Sequence, residues 1–188
     1  MKFTFDTNCL IDLDETRPSA KNIRDLIRAH RAGKCEVAFV AVSASERQPG
    51  DRYLETFAEF EARLRKLKIE DIPTILGMAY WDISYLEHAV LADETCDLEE
   101  RIHGVLFPTT PFKYSDFTAA NETSTGDIKT DRAWRNKWCD RQMIWAHISN
   151  TRDVFVTSDT NFDKIVGTTG FEIVRVMRPV EAAALLPR

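Results

Sequence analysis

The opening stretch, Lys2-Phe-Thr-Phe-Asp-Thr-Asn-Cys-Leu-Ile-Asp-Leu13, limits what the chain can fold into more than any other. Phe3 and Phe5 alternate with polar residues, the pattern of a strand with one apolar face, and Leu10, Ile11 and Leu13 continue as an apolar helix. The polar triplet Asp6-Thr7-Asn8 falls at the junction. Open α/β sheets hold their chemistry at this end of a strand. An aspartate there also serves as an ordinary helix N-cap.

The next elements repeat the theme. Ile23, Leu26, Ile27 and His30 mark a helix that Gly33 ends. Cys35 to Val42 is a nearly continuous apolar run, as expected of a parallel strand covered on both faces. Ser43 and Glu46 follow at capping-box spacing, and Glu46 is also a second carboxylate just past a strand. Pro49-Gly50 breaks the helix expected there. From Tyr53 to Lys68, the stripe Leu54, Phe57, Phe60, Leu64 and Leu67 predicts a helix. Arg63, Arg65, Lys66 and Lys68 near its end complement the helix dipole as solvated surface, or offer phosphate contacts.

Residues 69–130 read as an insertion. Ile69 to Ile75 is a short strand or connector that Pro73 restricts to a sheet edge. Ile83 to Leu106 has helical apolar spacing, with His88 and His103 too far apart for a metal pair on adjacent turns. Pro108 to Thr130 is rich in Thr, Ser, Asn and Pro and lacks helical periodicity, so a loop is expected. Its Phe112, Tyr114 and Phe117 would anchor a lid or a partner-contact segment.

Asp131, as N-cap, opens a helix that runs to Ser149. Trp134, Trp138 and Trp145 share one face, and Asp140 shares another with Met143, Ile144 and His147. A carboxylate on an apolar stripe needs a metal, a cation or a helix N-terminus as partner. Asp153 to Thr157 is a strand, and Asp159 stands just past it. Phe162, Ile165 and Val166 form the buried face of the helix that follows. Gly167 and Gly170 frame a turn, Phe171 to Met177 is a last strand, and Pro179 opens a final helix.

These elements predict one domain over residues 1–188. It is α/β, a three-layer α/β/α fold with a central parallel sheet and a mostly helical insertion at 69–130 that includes the polar loop 108–130. Asp6, Glu46 and Asp159 then lie along one edge of the sheet, and Asp140 reaches that edge from a helix. Four carboxylates in one pocket repel and raise one another's pKa values. A divalent cation relieves the repulsion, and all-oxygen ligation suits Mg²⁺ or Mn²⁺ rather than zinc. The net charge of −5 excludes a general attraction to nucleic acid, so such contact needs a local basic patch or a metal held by acids. Cys9, Cys35, Cys96 and Cys139 have no CxxC spacing and read as reduced thiols of a cytoplasmic protein. Neither a signal peptide nor a membrane span is expected.

With these motifs the chain resembles the PIN-domain nucleases, a family that includes toxins of bacterial toxin–antitoxin pairs. The likeness lies in FDTNCLIDL with Asp6, ASE with Glu46, the helix bearing Asp140, and VTSDTNF with Asp159. It implies a Rossmann-like PIN fold and metal-dependent endonucleolytic cleavage of RNA. It implies Asp6, Glu46, Asp140 and Asp159 as catalytic, metal-binding acids for Mg²⁺ or Mn²⁺, supported by Thr7, Asn8 and Thr157. Asp163 is a candidate further acid, which charge complementarity at a helix N-terminus explains equally. An antitoxin protein and a second copy of the chain are further partners of the kind such proteins have, and no organic cofactor is implied. Bulky Met143, Ile144 and Trp145, and the long segment 69–130, depart from shorter members. The alternative is a catalytically inactive PIN-like module that binds RNA or protein, its acids serving as caps and ion pairs. A phosphotransferase on a similar sheet would call for a glycine-rich phosphate loop, which the chain lacks.

Overall fold

The computed structural model describes residues 1–46, 48, 52–91 and 97–187. The described strands are β1 (Lys2–Phe5), β2 (Glu36–Val40), β3 (Thr74–Ile75), β4 (Gly77–Met78), β5 (Ala89–Val90), β6 (Val154–Val156) and β7 (Val176–Met177). Five of them form an all-parallel sheet in the order β3-β2-β1-β6-β7. The chain winds outward from β1 through β2 to β3, then returns to the other side of β1 for β6 and β7. The winding therefore reverses between β1 and β6, which is where an open parallel sheet leaves a crevice at its C-terminal edge.

The described helices are α1 (Thr7–Asp14), α2 (Ala20–Arg31), α3 (Phe57–Leu67), α4 (Asp97–Leu106), α5 (Tyr114–Ala120), α6 (Arg132–Ser149) and α7 (Pro179–Ala184). Register explains the layers. Phe3 pairs with Val37 and Val154, and Phe5 with Phe39 and Val156, so all six point to one face. There they meet Leu10 of α1, Leu26 of α2, Phe60 of α3 and Ala182 of α7. The intervening Phe155 points the other way and packs with Trp138, Met143 and Ile144 of α6 and Ile102 of α4. Two cores thus sandwich the sheet, a three-layer α/β/α arrangement. Each fully buried phenylalanine contributes about 1.5–3 kcal/mol of transfer free energy.

Several elements depart from local pattern. No α-helix starts at Ser43; residues Ala41–Ala44 make one 3-10 turn, and the Ser43 hydroxyl accepts from Thr7 Oγ1 at 2.8 Å instead of capping. The capping box lies later, at Thr56 and Glu59, and starts α3. Pro49-Gly50 falls outside the described residues. The helix expected over 83–106 is helical only from Asp97; Leu86–His88 is a 3-10 turn and Ala89–Val90 pairs with β4, while 92–96 lie outside the described residues. Val90 and Leu91, which completed the helical spacing, are 38% and 78% exposed, because strand pairing there overrides the periodicity. The last strand shrinks to Val176–Met177, since Phe171 and Val174 reach the core through turns.

The Thr-rich loop contains α5, whose Phe117 is buried. Asp131 is the N-cap residue of α6, as expected, but its side chain makes no capping bond. Its carboxylate turns back to gather the loop, as described below. Val166 is exposed, not buried. Cys9, Cys35 and Cys139 are buried free thiols, and Cys96 lies outside the described residues. No described helix is long and apolar enough to cross a membrane.

Candidate functional site

The crevice between β1 and β6 is built by hydrogen bonds to Asp6. The chain leaves β1 with the Asp6 N–H donating to Val156 O at 3.0 Å, which ties the two strand ends together. The Asp6 carboxylate then accepts from three donors: Thr7 N at 2.7 Å, Asn8 Nδ2 at 2.9 Å and Thr157 Oγ1 at 2.6 Å. Thr157 in turn accepts from the Asp159 N–H at 2.9 Å. The first and last acid motifs are therefore joined through one threonine hydroxyl. Asp6 is at once the N-cap of α1 and a member of this network. A carboxylate has about four lone-pair positions, so these three donors leave one on Asp6 unused.

Asp6, Glu46, Asp140 and Asp159 gather at this edge from four separate segments. Glu46 is repelled by Asp6, Asp140 and Asp159; Asp140 by Asp6 and Asp159; and Asp6 by Asp159, so every pair among the four interacts. Burial first, then this mutual repulsion, pushes the Glu46 and Asp140 carboxyls well above the usual carboxylate range. Asp6 is also raised by burial, but the bonds from Thr157, Asn8 and Thr7 offset part of the effect. The Thr7 hydroxyl donates to Ser43 Oγ and its proximity offsets part of the rise at Glu46, whose Oε1 is buried with no partner. The Asp140 carboxylate receives no hydrogen bond and no ion pair from the described residues.

An uncompensated buried carboxylate oxygen is costly, and here it stands among three other acids. The donor type and the charge fit a hard divalent cation. As the side chains are oriented, no three His, Cys, Asp or Glu among the described residues are close enough to hold one ion. Loading such an ion therefore requires reorientation, and Asp140 and the Glu46 Oε1 are the groups left without hydrogen bonds to resist it.

The predicted supporting residues divide. Thr7, Asn8 and Thr157 bond the acids directly. Asp163 is exposed and pairs with Arg178 at 2.5 Å, and it is not among the groups that shift the other acids. Arg178 also donates to the Thr157 and Asp159 carbonyls at 3.2 and 2.9 Å, bracing the turn that presents Asp159. Asp12, buried one turn beyond Asn8 on α1, accepts from Ser158 Oγ at 3.1 Å and from Ser19. Arg178, Asp12, Ser158 and Asn161 were not expected from the sequence. Ser158 and Asn161 stand within the VTSDTNF motif and Asp12 within FDTNCLIDL, so Arg178 alone carried no local signal. Comparison of the chain with protein-family models, with curated proteins and with solved structures finds no match.

Proposed function

We propose that this chain is a metal-dependent endoribonuclease of the PIN-like kind, with Asp6, Glu46, Asp140 and Asp159 as its acids. One observation carries the reading: four acids from distant parts of the chain lie within electrostatic reach of one another, with no lysine or arginine side chain bonded to them among the described residues. Structural carboxylates are normally paired when buried; here Asp6 is buried and Glu46, Asp140 and Asp159 are half-buried beside it. Asp6, Glu46, Asp140 and Asp159 would hold Mg²⁺ or Mn²⁺. Bound there, the ion would supply Lewis-acid activation of water and neutralise charge on the scissile phosphodiester.

The chain's own residues supply the rest. Thr157 and Asn8 fix the plane of the Asp6 carboxylate. Asp159 Oδ1 is held by the Asn161 N–H at 2.8 Å, which leaves Oδ2 to orient a water. Thr7 and Ser43 lock the start of α1 to the turn that carries Glu46. An antitoxin-like protein and a second copy of the chain remain proposed partners by resemblance alone.

The test is cleavage of single-stranded RNA in Mn²⁺ by the wild type and by Asp6→Asn. Loss of an outer-shell partner costs a metal site about 10–100-fold, so loss of a ligand should lower cleavage by more than about 100-fold. The substitution removes a repelling charge but sets an amide donor against one set of Asp6's own donors, so circular dichroism in EDTA checks that the variant is folded. Cleavage by Asp6→Asn at the wild-type rate would end the proposal.

A further inference from the structure

Two cations, Lys137 and Lys164, stand on the segments that carry Asp140 and Asp159. Lys137 lies one turn before Asp140 on the same side of α6, and its Nζ donates to Thr110 Oγ1 at 2.7 Å and sits 5.9 Å from the centre of the Phe107 ring. Lys164, in the 3-10 turn Thr160–Ile165, donates to Asn161 Oδ1 at 2.6 Å and to the Leu106 carbonyl at 3.0 Å. The Asn161 N–H in turn donates to Asp159. Each lysine is thus one short step from a site acid, Lys137 along the helix and Lys164 through Asn161.

All of their hydrogen-bond acceptors are neutral. Among the described residues no carboxylate lies within ion-pair distance of either ammonium, whereas Arg31, Arg63, Arg141 and Arg178 each have one. An ammonium has three donors, so both lysines keep capacity. Burial first, and then the charge of Lys164, disfavours the charged form of Lys137. A third donor joins them. Because Asn161 Oδ1 accepts from Lys164, its amide orientation is assigned, and Nδ2 is left buried with no acceptor. Two mutually repelling ammonium groups and an orphaned amide donor share one need, an anionic oxygen acceptor.

We infer that Lys137, Lys164 and Asn161 Nδ2 cradle a backbone phosphate of single-stranded RNA beside the scissile one, and so position the strand over the four acids. This rests on the ribonuclease reading and supplies what a chain of net charge −5 requires, a local basic patch at the site itself. The lysines are positioning residues.

The experiment measures binding of a fluorescein-labelled single-stranded RNA oligonucleotide by anisotropy, with Ca²⁺ in place of Mn²⁺, across a salt series. Lys137→Ala/Lys164→Ala should weaken binding about 10-fold or more and make the log–log salt slope shallower by about 0.7 for one lost phosphate contact. The Lys→Arg double variant should restore both, and calorimetric Mn²⁺ affinity should be unchanged in all of them. The Lys→Gln double variant keeps neutral donors toward Thr110 and Leu106 and should reproduce the alanine result if the alanine protein is unstable. Unchanged affinity and slope in the folded Gln variant, with wild-type RNA cleavage intact, would overturn the cradle and leave the nuclease standing. A wild type that binds no RNA in either metal would overturn both.

Discussion

Two regions of this chain bury carboxylates and treat them in opposite ways. In the layer of α4 to α6, Glu99 and Asp131 are met by donors of the chain itself. Glu99 Oε1 accepts from Arg141 Nε at 2.6 Å and from Gln142 Nε2 at 2.7 Å. Asp131 accepts from Tyr114 Oη at 2.6 Å, from Thr125 N at 2.8 Å and Thr125 Oγ1 at 2.9 Å, and from Ser124. Burial pushes the Asp131 carboxyl up, but the bonds from Ser124, Thr125 and Tyr114 more than reverse it, to about 2. At the sheet edge Asp6 and Asp159 are partly satisfied, Glu46 keeps a bare oxygen, and Asp140 receives no donor from the described residues. Acids that complete a fold are given partners by the fold. Acids left to repel one another mark a place organised around something from outside the chain.

The contrast is easiest to break at Glu99. Arg141 is 2% exposed and leans on Glu99, on His103 Nδ1 at 3.1 Å and on the faces of Phe112 and Trp134. Removing one member of a buried pair strands the other, so Glu99→Ala should cost about 3–5 kcal/mol, read from urea denaturation. A loss under about 1 kcal/mol would mean this acid is no more structural than those at the edge.

Asp131 sharpens the same contrast on a smaller scale, because the loop it gathers is partly exposed. Asp131→Ala should cost about 1–3 kcal/mol. It should also release the Tyr114 phenol, which burial and then the Asp131 carboxylate hold at about 12. Ultraviolet titration should show one tyrosine returning toward 10. A phenol that stays at about 12 in the variant would assign the shift to burial alone.

Much of the site was legible because the relevant signals are local. A strand end followed by an acid and a helix, as at Asp6 and Asp159, is a chemical pattern that neighbouring residues suffice to reveal. Asp140 stood out as a carboxylate on an apolar stripe. At Glu46 the local structure differs from the one expected, because Ser43, which had the spacing of a cap, bonds Thr7 far away in sequence. The parallel sheet followed from the unbroken apolar run of β2 and from Phe3 and Phe5, whose alternation matches the register. What was illegible depends on long-range partners. Nothing near Asp131 says that its side chain will abandon the helix it precedes for Tyr114 and Ser124. Nothing near Lys137 announces Lys164. Apolar spacing over 83–106 fits a helix until pairing with Gly77–Met78 is known.

The pH dependence of stability separates the two kinds of acid with the smallest effect. The raised carboxyls of Asp6, Glu46 and Asp140 favour the folded state while protonated, so their contribution is full below about pH 4 and is lost as pH rises toward their folded values. Asp131 runs the other way, stabilising above about pH 4 and failing as pH falls toward 2. His147, buried and held at about 4 by desolvation and then by Arg152, destabilises the fold as pH falls from about 6.5. Between pH 4 and 6.5 the edge acids and His147 therefore slope against each other, and a single melting curve cannot tell them apart. The difference between melts in Mn²⁺ and in EDTA cancels His147 and Asp131, which lie outside the proposed ligand set. With Mn²⁺ at ten times its Kd the difference should be about 1.4 kcal/mol at pH 7. It should shrink toward zero near pH 4, as protons displace the metal from the acids. A difference that stays constant across that range would mean the ion binds elsewhere, and the edge acids would then join Glu99 and Asp131 as parts of the fold.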